Sequence, residues 1–126
     1  MSASYKDLRV WQQAVQLGLA IYRVTAGFPR HEIYGLRQQV RKAAVSVASN
    51  IAEGKGRRTD KDFVSFLYRA RGSLLEVETQ TIFARELKYI REEEASEVLH
   101  LTAAVGSSLT GLINALQGHD SELAHA

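Results

Sequence analysis

The stretch that decides the fold is residues 36–76, which read LRQQVRKAAVSVASNIAEGKGRRTDKDFVSFLYRARGSLLE. Apolar and small residues recur three and four positions apart on both sides of a basic segment, Lys55-Gly56-Arg57-Arg58. This spacing is typical of amphipathic helices rather than strands. Two helices joined by a connection of a few residues lie antiparallel, so the stretch predicts a helical hairpin.

The same periodicity continues toward both ends of the chain. The predicted helices cover about residues 7–26, 32–53, 60–89 and 92–117. Gly27-Phe28-Pro29 separates the first two, because proline removes a donor and clashes with the preceding turn, and Phe28 is predicted to plug that end of the structure. Residues 1–126 therefore predict a single all-α domain, an up-down-up-down antiparallel four-helix bundle, with residues 118–126 as a tail.

Four residues are predicted to mark helix ends. Asp7 suits the N-cap or first turn of the first helix, and Gly54 suits the position that follows the second. Thr59 suits the N-cap of the third helix, because an acidic residue follows three positions later, as in a capping box. Gly118 is predicted to end the fourth helix.

The first and fourth helices have broad apolar faces, which for the first helix is what a bundle helix needs. The first helix has two parallel stripes, which are Leu8, Trp11, Val15, Gly18 and Tyr22 beside Val10, Ala14, Leu17, Ile21 and Val24. The fourth helix also has a broad apolar circumference, and this excess favours a subunit interface on it. The alternative is that wide faces inside one bundle absorb the excess.

Composition narrows the class of protein. The 126 residues include no cysteine, which excludes a disulfide framework and a thiolate metal site. The first residues lack the apolar region of a signal peptide, and no apolar run approaches the ~20 residues that span a bilayer. We therefore expect a cytoplasmic protein without membrane contact.

No constellation of catalytic or metal-binding residues emerges from the sequence. Glu97-Val98-Leu99-His100 has the Glu-x-x-His spacing of di-metal bundles, but such a site needs a second copy and two more glutamates. Gly54-Lys55-Gly56-Arg57 lacks the strand before it and the ending of a phosphate-binding loop. We expect no enzyme, no catalytic residues, no metal site and no cofactor.

A polar seam is predicted between the second and third helices. Its members share one strip of each helix and are Ser46, Asn50, Glu53, Ser73 and Glu76. Because an unsatisfied buried polar group costs roughly 1–3 kcal/mol, we expect these side chains to form a hydrogen-bonded network that fixes the helix register. The functional alternative is a catalytic carboxylate pair of Glu53 and Glu76.

The distribution of charge gives the strongest binding signal. Residues 1–71 contain 13 Lys/Arg and 5 Asp/Glu, a net +8, whereas residues 72–126 contain 3 and 9, a net −6. Either the two halves neutralise each other inside the bundle, or the basic half meets a polyanion. The residues predicted to contact nucleic acid are Arg37, Arg41, Lys42, Lys55, Arg57, Arg58 and Lys61. Tyr34 and Tyr68 would stack on bases if they are exposed.

Several short motifs occur in an order that resembles a known family. They are Asp7-Leu8-x-Val10-Trp11, Phe28-Pro29 with Tyr34-Gly35-Leu36-x-x-Gln39, Ser46-x-x-Ser49-Asn50-Ile51-Ala52-Glu53-Gly54, and Phe63-x-x-Phe66-Leu67 with Ala70-Arg71-Gly72-Ser73-Leu74-x-Glu76. Over about residues 5–117 the chain resembles the four-helix-bundle family encoded in intervening sequences of bacterial 23S rRNA genes. It is also similar to the accessory bundle protein of diversity-generating retroelements.

The resemblance implies a cytosolic, non-enzymatic bundle that assembles into a ring-like homopentamer. The related accessory protein binds nucleic acid and a reverse transcriptase, so RNA or DNA and a nucleic-acid-processing protein are the implied partners. Five copies of a basic surface would strengthen binding through avidity. The alternative function is an oligomeric scaffold with no nucleic-acid role, in which the basic region meets the acidic fourth helix of a neighbour.

Overall fold

The computed structural model describes the backbone of residues 4–125 and the side chains of residues 4–118. The four helices are α1 (Arg9–Thr25), α2 (Leu36–Lys55), α3 (Asp60–Glu86) and α4 (Glu92–His125). Short 3₁₀ turns at Tyr5–Asp7 and Arg30–Glu32 precede α1 and α2, and there is no strand within the described residues.

The helices form the predicted up-down-up-down antiparallel bundle. Within the described chain α1 packs on α2 and α4, and α3 also packs on α2 and α4, while the Cα atoms of the diagonal helix pairs stay more than 8 Å apart. The most extensive pairing joins α2 and α3, the hairpin predicted from residues 36–76. The all-α fold class is therefore confirmed.

The close approach of α2 and α3 depends on Gly54. A Cβ atom at this position would lie 2.7 Å from Cβ of Phe66 and 2.9 Å from Cδ1 of Phe63. The helices can reach this separation only because position 54 carries no side chain. The prediction that Gly54 follows the helix is wrong, since α2 continues to Lys55 and Gly56 is its C-cap.

The N-terminal ends of α1 and α3 differ in how they are capped. Thr59 accepts a hydrogen bond from the backbone N–H of Asp62 at 3.1 Å, so the predicted N-cap of α3 is confirmed. The N-cap of α1 is Leu8, which makes no side-chain capping bond. Asp7 lies in the preceding 3₁₀ turn, so its predicted N-cap role is wrong.

The last helix is longer than the sequence predicts. α4 continues through Gly118 to His125, so the predicted tail is wrong over residues 118–125, and residue 126 lies outside the described chain. A glycine inside a helix costs only about 1 kcal/mol, and no proline follows to stop the helix.

The core takes one apolar stripe from each helix. Its fully buried members include Leu17 and Ile21 of α1, Ile51 of α2, Leu67 of α3 and Leu109 of α4. Each such side chain contributes about 1.5–3 kcal/mol of burial free energy. Phe28 is buried and its ring lies 5.4 Å from that of Tyr89, so it closes one end of the bundle as predicted.

The most exposed large apolar side chains lie outside α4, the helix on which the sequence favoured a subunit interface. Among residues 4–118, no large apolar side chain of α4 is strongly exposed, but Leu99, Leu101, Leu112 and Leu116 are only half-buried. A subunit interface on α4 therefore stays a prediction. The large exposed apolar residues lie on α1, α2, α3 and two connections, and they are Leu19, Tyr22, Tyr34, Val45, Tyr68, Leu75, Ile82, Phe83 and Leu87.

One further expectation about α4 needs correction. Residues Glu92–Gly118 are long and apolar enough, by length and composition, to cross a membrane, with a mean hydropathy of 1.3. The statement that no segment approaches spanning length is therefore wrong. Only 28% of this apolar window is buried within the bundle, and its buried residues include Val98, Val105 and Leu109.

Candidate nucleic-acid interface

The seven predicted basic residues lie in two groups at opposite ends of α2. The first group contains Arg37, Arg41 and Lys42, and we call it the α2 N-terminal group. The second contains Lys55, Arg57, Arg58 and Lys61, and we call it the turn group. At 1.5 Å per residue, Arg37 and Lys55 lie about 27 Å apart along the helix, so the two groups do not form one compact patch.

In the α2 N-terminal group, Arg41 is tied to the end of α1. Its Nε donates to Oγ1 of Thr25 at 2.8 Å, and its guanidinium also donates to the carbonyl oxygen of Tyr22 at 3.1 Å. The guanidinium lies 4.5 Å from the centre of the Tyr22 ring. A cation at these last carbonyls stabilises the negative end of the α1 dipole. Arg41 therefore stabilises the α1–α2 pairing whatever else it contacts.

An open cleft of about 460 Å³ adjoins this group. Arg37, Arg41 and Lys42 line it together with Tyr34, whose side chain is 89% exposed. The cleft thus combines positive charge with an exposed aromatic ring, the two features used to bind single-stranded nucleic acid.

In the turn group, Arg57 lies over an aromatic ring. Its guanidinium is 4.5 Å from the centre of the Phe66 ring, and the guanidinium of Arg69 is at the same distance. Phe66 is buried, and its Cβ lies 2.7 Å from the position that a Cβ atom at Gly54 would take. Each exposed contact of this kind contributes about 0.5–1 kcal/mol and restricts where the guanidinium lies. Arg69 was not among the predicted binding residues, although its three-residue spacing from Phe66 is visible in the sequence.

None of the seven residues forms an ion pair within residues 4–118. The ion pairs of this region join Arg23 to Glu97, Arg85 to Glu86, and Arg91 to Glu93 and Glu94. The side chains of both groups are therefore not held in ion pairs, although Glu53, Asp60 and Asp62 adjoin the turn group in the sequence.

The polar seam is built from three of its five predicted residues. The hydroxyls of Ser46 and Ser73 lie 2.9 Å apart across the α2–α3 contact. Asn50 donates from Nδ2 to the carbonyl oxygen and the hydroxyl of Ser46, at 2.9 and 3.0 Å. All three side chains are half-buried, so these bonds satisfy groups that water reaches poorly.

The two glutamates do not join this network. Glu53 is exposed and has no hydrogen-bond partner among the described residues, while Glu76 is exposed and accepts from Gln80 at 3.3 Å. The Ser46–Ser73 contact sets the antiparallel register, which places Glu53 level with Phe66. Glu76 lies ten residues further on, or about 15 Å along α3. The seam prediction is wrong for Glu53, and a catalytic pair of these two carboxylates is not formed.

Sequence reasoning missed a polar cluster at the start of α2. Glu32 accepts from the backbone N–H of Leu36 at 3.0 Å and from the hydroxyl of Tyr89 at 2.9 Å, so it caps α2 and links it to the α3–α4 connection. The imidazole of His31 lies 3.3 Å from the same hydroxyl. The bond from Leu36, followed by that from Tyr89, lowers the pKa of Glu32, and Glu32 raises the pKa of Tyr89.

This cluster predicts how stability depends on pH. Because the folded protein lowers the pKa of Glu32, the ionised carboxylate stabilises the fold above the ordinary glutamate value of about 4.3, and this contribution is lost as the pH falls through the lowered pKa. Glu32→Gln should be less stable than the wild type at pH 7, and the difference should shrink at acid pH. Urea unfolding at several pH values measures it.

A comparison with Tyr89→Phe separates the two bonds to Glu32. This variant keeps the bond from Leu36 and should therefore show a smaller loss at pH 7 than Glu32→Gln. A stability difference that stays constant from pH 7 to pH 3 would contradict the assigned role of Glu32.

The Glu-x-x-His motif of α4 has a structural partner. Both carboxylate oxygens of Glu97 accept from the guanidinium of Arg23, at 3.1 and 2.5 Å, which joins α1 to α4. The bond lowers the pKa of Glu97. Its carboxylate is therefore engaged by an arginine on the bundle surface, a different arrangement from an inward-pointing metal ligand.

Comparison with known proteins gives a family and a related fold. The chain matches a crystal structure of a protein of unknown function from the S23 ribosomal protein family of Bacteroides thetaiotaomicron, with a TM-score of 0.77 and 17% sequence identity. The match covers 82% of this chain and 97% of the other, and at this identity it shows the fold alone. No curated protein matches the chain.

The sequence profile of the 23S rRNA-intervening sequence protein family matches residues 6–111. This span includes α1, α2, α3 and most of α4, and it therefore contains both basic groups and the polar seam. The chain belongs to the 23S rRNA-intervening sequence protein family.

Proposed function

We infer that the protein is a homo-oligomeric, non-enzymatic bundle of the cytoplasm that binds RNA or DNA through the turn group. The observation that carries this proposal is the concentration of Lys55, Arg57, Arg58 and Lys61 at one end of the bundle, with no ion pair to a carboxylate in the described chain. Phosphate oxygens are strong acceptors for such side chains.

The geometry of the turn supports phosphate contact. The stacked position of Arg57 over Phe66 holds its guanidinium in place before a ligand arrives, which lowers the entropy lost on binding. Arg58 and Lys61 are exposed beside it. The turn therefore offers several donors that can reach neighbouring phosphates of one strand.

The α2 N-terminal group offers a second contact. Its cleft has the exposed ring of Tyr34 for base stacking, with Arg37 and Lys42 beside it. An assembly with five copies, as the family resemblance implies, would present the turn group repeatedly and gain affinity through avidity. A nucleic-acid-processing protein remains a proposed partner.

A scaffold without nucleic acid is the second candidate. The exposed apolar side chains on α1, α2 and α3 favour it, because a solvated monomer gains nothing from them. Assembly and nucleic-acid binding are compatible, so the decisive measurement must read each of them separately.

Charge reversal in the turn group tests the proposal. We expect Arg57→Glu/Arg58→Glu to weaken binding of labelled RNA and DNA oligonucleotides at least tenfold in fluorescence anisotropy at low salt, because two phosphate contacts become repulsive. For the wild type, log Kd should rise with log salt by ~0.7–0.9 for each phosphate contacted. Light scattering on the same samples should show unchanged assembly.

A control with the same change in net charge is available elsewhere. Arg9→Glu/Arg30→Glu alters two exposed arginines outside both groups and should leave binding within about twofold of the wild type. If the turn variant loses assembly instead, the scaffold is supported. If the wild type binds no oligonucleotide at low salt, the nucleic-acid function is wrong.

A further inference from the structure

The bundle presents an unfilled apolar groove between α1 and α2. Its volume is about 380 Å³, and its rim consists of Trp11, Val15, Leu19, Tyr22 and Val45. Trp11, Val15 and Tyr22 belong to the second apolar stripe of α1, and Trp11 also packs against the edge of the core. We call this surface the α1–α2 groove.

The floor of the groove consists of small residues. Gly18 lies on α1, while Ala44 and Ala48 lie on α2. Larger side chains at these positions would fill the space between the two helices. Small residues between taller neighbours create a concave surface, which a ridge of side chains on another helix can enter.

The outer side of α3 carries such a ridge. Tyr68, Leu75 and Ile82 follow one another at seven-residue spacing and are 46%, 55% and 37% exposed, and the neighbouring Phe83 is 58% exposed. We call these four residues the α3 stripe. Seven-residue spacing keeps them on one side of the helix, opposite the side that faces the core.

The two surfaces have matching lengths. At 1.5 Å per residue, Tyr68 to Ile82 spans about 21 Å, and Trp11 to Tyr22 spans about 16 Å. They lie on different sides of the same bundle, so one molecule cannot fill its own groove with its own stripe.

The charges that flank the two surfaces are opposite at one end, while the Tyr68 end of the stripe carries Arg71, whose guanidinium lies 5.3 Å from the centre of the Tyr68 ring. Arg41 and Lys42 flank the Tyr22 end of the groove, and Arg41 stacks on that ring. Glu78 and Glu86 flank the Ile82 end of the stripe, and both are exposed, with Glu86 also paired to Arg85 of its own helix at 3.1 Å. Pairing groove with stripe brings unlike charges together, whereas pairing groove with groove would bring like charges together.

We propose that the α3 stripe of one copy docks in the α1–α2 groove of the next copy. Each copy thus uses its groove for one neighbour and its stripe for the other, which is the heterologous contact that we call head to tail. This inference rests on the proposed function, which includes a homo-oligomer, and it identifies the two surfaces that join the subunits. The opposite charges bring the Tyr22 end of the groove to the Ile82 end of the stripe, which are the C-terminal ends of α1 and α3. Because α1 and α3 run in the same direction, neighbouring bundles then lie side by side with parallel axes. Such a heterologous contact repeats around a ring or along a filament.

The arrangement assigns separate roles to the aromatic residues. Tyr68 belongs to the subunit contact, so base stacking is left to Tyr34. The turn group lies outside the α1–α2 groove and the α3 stripe, which keeps it accessible to an anion after assembly.

Complementing variants test the head-to-tail contact. Val45→Glu should prevent docking in the groove, and Ile82→Glu should prevent docking by the stripe. Each variant alone should therefore be a monomer by light scattering. Mixed in equal amounts, they should form a one-to-one dimer and nothing larger, because one intact groove meets one intact stripe. Both positions are exposed, so each variant should keep the helical circular dichroism spectrum of the wild type.

A second pair of variants and a control variant show whether the result is specific to the two surfaces. Leu19→Glu and Leu75→Glu should behave as the first pair does, and Tyr34→Glu, outside both surfaces, should assemble like the wild type. Variants that assemble normally, or a mixture that stays monomeric, overturn the head-to-tail contact alone. A dimer formed by Ile82→Glu by itself indicates groove-to-groove pairing and also overturns it. A monomeric wild type overturns both this contact and the proposed assembly.

Discussion

Gly54→Ala is expected to lower the free energy of unfolding by about 1–3 kcal/mol, the usual cost of overpacking. Alanine is favoured over glycine inside a helix by about 0.5–1 kcal/mol, which opposes this effect. The steric clash outweighs the helix preference, because the new Cβ would lie 2.7 Å from Cβ of Phe66 and neither atom can rotate away. The net change in the free energy of unfolding is therefore a loss. α2 and α3 must therefore separate, and urea unfolding measures the loss.

Gly111→Ala is the matched control for this prediction. Gly111 lies inside α4, is exposed, and has nothing within 4 Å of the position that a Cβ would take. At this position only the preference of a helix for alanine over glycine acts, so the free energy of unfolding should rise by about 0.5–1 kcal/mol. Equal gains at the two glycines would show that α2 and α3 are not as close at Gly54 as described.

Leu67→Ala should cost about 2–5 kcal/mol, the usual range for emptying a buried leucine site. Leu67 lies on the core side of α3 and is 0% exposed, so its removal leaves a cavity that the neighbouring helices cannot fully close. The measurement is urea unfolding followed by circular dichroism.

Leu67→Met separates cavity formation from any specific need for leucine. The side chains have similar volumes, and such an exchange usually costs less than about 1.5 kcal/mol. If alanine and methionine at this position reduced stability by the same small amount, Leu67 would not be part of the core.

The four-helix architecture was predictable because apolar residues recur three and four positions apart along the whole chain. Leu67 and Leu74 of α3 fall on the stripe that the 3.5-residue spacing predicted, and both are buried. Helix ends were less predictable, since Gly54 looks like a terminal glycine in sequence. Its actual role depends on Phe63 and Phe66 of the neighbouring helix, which periodicity alone does not bring into contact.

The candidate site was predictable in residue type but not in arrangement. The sequence identifies the basic residues, yet it does not show that α2 divides them into two groups or that Arg41 is held by Tyr22 and Thr25. The α3 stripe was missed because the inward stripe of the same helix already explained its periodicity. Glu32 was missed because its partner Tyr89 is distant in sequence.

The bare backbone at Gly54 has a consequence for engineering the protein. Phe66, whose Cβ packs on this position, also carries the ring on which Arg57 and Arg69 lie. Thermal resistance and polyanion affinity therefore cannot be adjusted independently at this turn. A larger residue at position 54 displaces Phe66 and with it both guanidinium groups, so selection for one property alters the other.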